Sequence, residues 1–533
     1  MSGLIAALTG SSASTPAGGN APKVPASRVT KLILAFAGPL FIVCLIILLS
    51  WGVKALGEVV LSNSTLFEFS ADWNRDSTLL PSTVWAKFSA ILLSLGIVAI
   101  AAGRIVNVNR FSLHGMYRNR LVRAYLGASN TLGIAGRDRK PDPFTGFALD
   151  DNLPLHDLWP QAQKPPAVPG TPVAAGVSPR PTPAEHLSTT SASTAVRSDA
   201  FETTKIYDAT RMATAVQPLS IINTTLNLVH GENLAWQQRK AESFSMTPFF
   251  CGNLREGYRR SSEYGTPGGI TLGTAITISG AAANPNMGYC SSPALSFVMA
   301  IFNVRLGAWL GNTNERGNGT YRRPGPRQAI MPLFAEMFGL TNASRKYVNL
   351  SDGGHFDNLG LYEVVLRRCR RMLVSDAGQD GSFAFEDLGN AIRKIRIDFG
   401  INIIFKTKIE IRPRGPEKKG LYCAVASVRY SEVDGTDPNN DGVLIYIKPT
   451  LLGRGEPVPY DIYSYAQSNE AFPHESTADQ WFSESQFESY RALGFHIVEQ
   501  LGSSLTSANF EEFNANVKKY IDGDGRMTGT SPT

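Results

Sequence analysis

The sequence predicts an α/β domain with an antiparallel β extension, held behind two membrane-spanning helices. Three observations carry this. Two apolar runs near the N-terminus are each long enough to cross a bilayer. Between residues 347 and 395 a strand, a helix, a second strand and a second helix follow one another, the order that a sheet with crossovers produces. From residue 401 the apolar period changes to two, the mark of a strand with one solvated face.

The first run, Leu32–Val53, holds no charge over 22 residues. It starts too late and runs too long for a signal peptide. The second, Val84–Gly103, carries only Lys87, near enough to its end to reach the interface. Lys23, Arg28 and Lys31 precede the first run, and Arg104, Arg110, Arg118, Arg120 and Arg123 follow the second. Glu58, Glu68, Asp72 and Asp76 lie between them. Lys and Arg favour the cytoplasmic side, so the expected topology is a two-pass hairpin over 31–103 with the C-terminal domain in the cytoplasm. The basic segment 104–150 is expected at the membrane, with Arg110–Gly127 against anionic headgroups or as a solvated helix.

Residues 1–30 are rich in Ser, Ala, Gly and Pro and are expected to be disordered. Residues 151–215 read as a linker, with nine prolines between 154 and 183. The globular part is expected over 216–533. Leu219–Val229 reads as a strand, and Gly273–Ala283 and Pro293–Leu310 as helices. Tyr347–Gly354 is a short strand entering a glycine loop, and Leu359–Cys369 a helix that Asn358 would cap. Arg371–Gly378 contains the next strand, and Phe385, Leu388, Ile392 and Ile395 have helical spacing. A β meander is expected at about 401–450, with Asp434–Gly442 as a turn-rich hairpin tip. Trp309 and Phe302 read as core.

Of 533 residues, 43% are hydrophobic, 10% aromatic and 18% charged, which excludes a wholly disordered chain. A net charge of +6 does not call for nucleic acid as a partner. Cys44, Cys251, Cys290, Cys369 and Cys423 are too scattered for a metal pair or a disulfide framework. No cofactor and no metal are expected: His355 and Asp357 stand close in sequence, but no further clustered ligand completes a site.

The stretch Ser351–Glu363, SDGGHFDNLGLYE, is the most informative chemically. It puts Asp352 at a strand end before Gly353 and Gly354, where backbone packs closely around a substrate. A carboxylate there can serve as general base for a serine; a plain turn between strand and helix explains the same residues. His355 raises a Ser–His–Asp arrangement, although neighbours in sequence need not face one way.

Thr271–Tyr289 (TLGTAITISGAAANPNMGY), Phe302–Asn312 (FNVRLGAWLGN) and Leu350–Arg370 (LSDGGHFDNLGLYEVVLRRCR) together resemble the C-terminal half of a membrane-attached patatin-like phospholipase. Phe111–Ser129, Trp236–Phe244 and Phe472–Gly494 resemble the same family, so the likeness covers about residues 104–500 apart from the linker. It implies a cytosolic phospholipase A2-like three-layer sheet and a Ser–Asp dyad that cleaves acyl esters. The dyad Asp of the family lies in a DG motif, which Asp352-Gly353-Gly354 matches. The small-residue stretch Ser279–Ala283 matches the segment that packs near the nucleophile.

One departure bears on activity. The family's serine sits in a GxSxG elbow, and none occurs in the 533 residues. Gly127–Thr131 lacks the last glycine, and Ile278-Ser279-Gly280 lacks the first. Ser279 is expected to line the core rather than act as nucleophile. In the family the elbow and the oxyanion loop precede the membrane spans, so the fold is expected to be incomplete. The chain is then the Asp-bearing part of a lipid acyl hydrolase, with membrane phospholipid and a separate nucleophile-bearing half or a complete homologue as partners. A mis-started reading frame has the same appearance. The alternative is an inactive, membrane-anchored pseudo-hydrolase that binds lipid or protein.

Overall fold

The computed structural model describes residues 82–127, 141–143, 146, 148–159, 219–231, 238–413, 420–452, 458–476, 483–502, 505 and 509–523, with isolated helical positions between 44 and 55. Expectations for residues 1–30, for most of the first apolar run and for the linker from 160 to 218 lie outside them. Residues 151–159 depart from a linker: Leu155 is fully buried, and its N–H donates to the Ile270 carbonyl at 2.8 Å.

A single helix, Ser82–Ile105, covers the second apolar run. Leu92, Leu93, Ile97 and Val98 on it are exposed. Among the described residues no helix is long and apolar enough to cross a membrane.

The chain divides into two compact units. One comprises Gly103–Asn284 and Asn303–Asp352. Its sheet has the strands β1 (Ile222–Asn227), β2 (Ala241–Met246), β3 (Phe250–Asn253), β4 (Gly257–Arg260), β5 (Ala308–Gly311) and β6 (Tyr347–Asp352). They lie in the order β4-β3-β2-β1-β6-β5, every neighbouring pair antiparallel. Helix Leu272–Ser279, capped by Thr271, packs on β1 and β6. Leu226 and Leu350 face each other in register and join Phe244, Met246 and Ile278 in one core. Each such fully buried side chain contributes about 1.5–3 kcal/mol. Thr224, Thr225, Asn227, Ser243 and Ser245 are also buried, so these strands are covered on both faces despite their polar composition. Helix His114–Leu121, in the expected membrane-proximal segment, belongs to this unit and packs on helix Leu272–Ser279.

The other unit comprises Met1–Ala102, Pro285–Phe302 and Gly353–Thr533. Its sheet runs β7-β10-β9-β8, from β7 (Arg371–Ser375), β8 (Ile403–Phe405), β9 (Cys423–Val428) and β10 (Gly442–Ile447). Alternate residues of β10 enter different cores. Leu444 and Tyr446 pack with Leu388, Ala391 and Ile395 of helix Glu386–Phe399. Ile445 and Ile447 pack with Ile462, Leu493, Ile497 and Val517, from helices Tyr460–Ser468, Glu484–Gly502 and Phe510–Asp522. Helix, sheet and helices thus form three layers.

Several expectations are corrected. The strand–helix–strand order does not make one sheet with crossovers: β6 belongs to the antiparallel sheet and β7 to the other. β7 and β10 form the parallel pair. The helix expected over Pro293–Leu310 stops at Ile301, because Asn303 takes a φ of 50° and the residues after it pair as β5 with β6. Phe302 is 56% exposed, whereas Trp309 is buried. The strand expected from Ile401 narrows to Ile403–Phe405, an edge strand bonded only to β9. The meander of β8, β9 and β10 is antiparallel as expected. Asn358 caps no helix: its amide donates to Asp387 Oδ2 at 2.8 Å, and the helix begins at Leu361.

Candidate active site

Asp352 ends β6, opposite Thr224 of β1, and is half-buried. The chain leaves the antiparallel unit at this residue. Gly353–His355 then forms a 3-10 turn in the other unit, with the Gly353 carbonyl accepting from the N–H groups of Phe356 and Asp357. His355 is buried there. Asp357 accepts from the N–H of Leu359 at 3.1 Å and of Tyr362 at 2.8 Å, so its carboxylate starts the next helix. Among the described residues no group of three or more His, Cys, Asp or Glu is placed to hold a metal ion.

Three other residues of the antiparallel unit converge near Asp352. Tyr117, from helix His114–Leu121, has its phenol pushed up to about 12, first by burial and then by the negative field of Asp352. It therefore stays protonated at neutral pH and can donate. Gly280 lets it approach: a Cβ there would stand 3.0 Å from the Tyr117 hydroxyl. Ser279 ends helix Leu272–Ser279 and donates its hydroxyl to the Asn223 carbonyl at 2.7 Å. Asn223 precedes Thr224, so Ser279 lies at the strand end where Asp352 stands. A hydroxyl that gives its proton to a main-chain carbonyl is held as a donor, not activated by a base.

Along β6, from Ser351 back to Asn349, runs a buried polar network that no motif in the sequence marks. The Asn227 amide donates to Ser351 Oγ and Asn349 Oδ1, both at 2.8 Å. Asn349 in turn donates to Glu336 Oε1 at 2.8 Å. Glu336 also accepts from Trp309 Nε1 at 2.8 Å and from Arg305 at 2.8 and 2.9 Å. Arg305 and Glu336 are both fully buried. Burial pushes the Glu336 carboxyl up, and Arg305 opposes that most strongly. The available signal was a polar residue between apolar neighbours: Asn349 between Val348 and Leu350, and Arg305 between Val304 and Leu306.

The three-layer unit holds a second charged cluster, where the parallel strands β7 and β10 end. Asp376 follows β7 and Lys448 follows β10, and both are 1% exposed. Lys448 Nζ lies 3.0 Å from Asp376 Oδ2 and 3.8 Å from Asp380 Oδ2. The Tyr446 hydroxyl donates to Asp376 Oδ2, and the Gly378 N–H to Asp376 Oδ1 at 2.9 Å. The Asp380 N–H donates to His474 Nδ1 at 3.3 Å, and His474 Nε2 lies 3.1 Å from the Pro449 carbonyl. His474 is pushed down by burial and then by Lys448. Every group here is spent on its neighbours, which fits a lock between chain segments.

No family model matches the chain, and no curated protein matches it. Among solved structures, human GIVD cytosolic phospholipase A2 superposes with a TM-score of 0.33 at 12% identity. The superposition covers 57% of this chain and 45% of that one, so the chain spans less than half of that protein. A likeness of this size decides neither fold family nor site.

Proposed function

We propose that the chain is a membrane-anchored protein of the patatin-like lipid acyl hydrolase type. In this reading Asp352 is the carboxylate of a Ser–Asp dyad, Gly353 and Gly354 form its loop, and the serine comes from outside these residues. What supports it most is the setting of Asp352: half-buried at a strand end, before two glycines, beside the small residues Ser279 and Gly280 and the protonated Tyr117. In the reaction, Asp352 takes the serine proton as Oγ attacks the acyl carbon. It returns that proton to the departing alcohol when the ester bond breaks. Water then releases the fatty acid by the same exchange. Membrane phospholipid is the substrate class, and a nucleophile-bearing half or a complete homologue is the partner.

The test uses the full chain in a membrane. Alone it should leave fluorophosphonate probes unreacted and hydrolyse no p-nitrophenyl ester. With the nucleophile half of a complete relative, weak esterase activity should appear, and Asp352→Asn should abolish it. Asp352-dependent labelling of a serine of this chain would make it a catalyst alone. Activity that survives Asp352→Asn would sink the dyad. The Ser279 hydroxyl, held by the Asn223 carbonyl, favours a second reading, an inactive pseudo-hydrolase; it stands if complementation yields nothing. The two-pass topology, with residues 104–533 in the cytoplasm, is tested by cysteine labelling from outside. Ser64→Cys should react and Ser129→Cys should not; the reverse pattern would remove the hairpin.

A further inference from the structure

The antiparallel unit carries a cleft of about 540 Å³ whose rim is basic. Arg316, Arg323, Arg327, Arg345 and Lys346 line it, and no Asp or Glu does. None of the five side chains is hydrogen-bonded or ion-paired to a described residue, whereas the neighbouring Arg322 is paired with Glu263. Five cations that share one concavity without counter-charge among the described residues repel one another, and an anion seated among them relieves that repulsion. The floor is rigid. Trp309 is buried with its indole N–H held by Glu336, and it packs with Val108, Ala329 and Ala335. Tyr347 also lines the cleft, and its hydroxyl is shielded from solvent with no partner among the described residues.

An apolar stripe adjoins the cations. On helix Ile330–Met337 and its C-terminal cap, Met331, Phe334 and Phe338 follow one another at steps of three and four residues, which puts them on one face. They are 59%, 50% and 52% exposed, and Met331 itself lines the cleft. The rings of Phe334 and Phe338 lie 4.5 Å apart and cover each other, so they do not form separate platforms for nucleic-acid bases. The helix is tied to Gly103. Ala329 N–H donates to the Gly103 carbonyl at 2.8 Å, and a Cβ on Gly103 would stand 2.9 Å from Ile330 Cγ1. Gly103 ends the second apolar run, where the basic residues begin. A membrane boundary at that point brings the cleft to headgroup level, with the stripe available to the acyl chains.

We propose that this cleft seats the phosphate of an anionic phospholipid while Met331, Phe334 and Phe338 enter the lipid beside it. The proposal rests on the membrane reading above and adds a headgroup preference to it. It does not depend on Asp352 or on turnover.

Binding is measured by calorimetry on the full chain in a non-ionic detergent. The probes are dihexanoyl phosphatidylglycerol, dihexanoyl phosphatidylcholine, inorganic phosphate and a short single-stranded RNA. Phosphatidylglycerol should bind about tenfold or more tighter than phosphatidylcholine, and less tightly as salt rises. Arg323→Glu with Arg327→Glu should weaken it by about tenfold or more, since each cation near an anionic surface is worth about a factor of five. Phe334→Ala with Phe338→Ala should weaken phosphatidylglycerol and leave phosphate unchanged. Thermal unfolding of each variant accompanies the titrations, and Arg345→Gln with Lys346→Gln serves if the charge reversal does not fold. Equal binding of the two lipids, or indifference to every rim substitution, would overturn the proposal. Phosphate binding as tightly as phosphatidylglycerol would make this a small-anion site, and tighter RNA binding a nucleic-acid site. A missing esterase activity would leave all of these outcomes unaffected.

Discussion

Two aspartates of this chain stand in nearly the same sequence. Ser351-Asp352-Gly353-Gly354 follows β6, and Ser375-Asp376-Ala377-Gly378 follows β7. In both, a strand ends on Ser or Asp and a small-residue turn begins. Their surroundings differ. Asp376 is 1% exposed and held by Lys448, Tyr446 and the Gly378 N–H. Asp352 is half-buried, and the Tyr117 phenol senses its charge. A strand-end aspartate is therefore not a site by virtue of its motif. What decides is which groups the fold sets around the carboxylate: a buried cation, a hydroxyl and an N–H for Asp376, and a half-buried strand end near a phenol for Asp352.

The largest effects should come from breaking the lock. Lys448→Met leaves Asp376 buried without its cation and should cost about 3–5 kcal/mol in thermal unfolding. Arg305→Met should cost a similar ~3–5 kcal/mol by stranding Glu336 in the other unit. The double change Lys448→Met with Asp376→Asn should restore part of the first loss. If Lys448→Met is neutral, the cluster is not a lock and the contrast with Asp352 fails.

Next comes acid. Burial pushes His114 down to about 4, with its Nδ1 2.7 Å from the Leu306 carbonyl. The folded state thus binds this proton less readily than the unfolded chain, whose histidine titrates near 6.5. The His114 contribution is fully present above pH 6.5 and is lost as pH falls through about 4. The integrated loss is of order 3 kcal/mol. His474, also shifted down, acts with the same sign in the three-layer unit. Stability measured from pH 7 to 4 should fall, and His114→Gln should flatten part of that slope. An unchanged slope in that variant would assign the acid sensitivity elsewhere.

A smaller effect sharpens the comparison directly. Asp352→Asn should change stability by less than about 1 kcal/mol, because a half-buried carboxylate is exchanged for an amide of the same shape. A loss as large as that of Lys448→Met would make Asp352 a structural residue and remove its candidacy. Smallest of all, Asn358→Ala should cost a few tenths of a kcal/mol while Asp357→Ala costs about 1 kcal/mol, the difference between an exposed side-chain bond and a helix start. Equal losses would return the capping role to Asn358.

Much of the three-layer unit was legible from period alone. The meander expected at about 401–450 contains β9 and β10, and Phe385, Leu388, Ile392 and Ile395 mark the helix between β7 and β8. The antiparallel unit was less legible. β2 reads AESFSM and β4 reads GYRR, with neither an apolar alternation nor a long apolar run to reveal them. β2, β3 and β4 pair as successive hairpins of polar composition, whereas β6 returns from far along the chain to pair with β1, which no local pattern records.

By itself the sequence determined where apolar runs lie, which segments repeat at strand or helix period, and that Asp352 stands at a strand end before two glycines. Only the tertiary structure decided that β6 and β7 belong to different sheets, that Ser279 donates to Asn223, and that the Tyr117 phenol lies within the field of Asp352. It also gathered five cations from three stretches of chain around one cleft. The physical reason is range. Period and turn chemistry act over a few residues, whereas burial, charge pairing and hydrogen bonding depend on segments that meet only when the chain has folded.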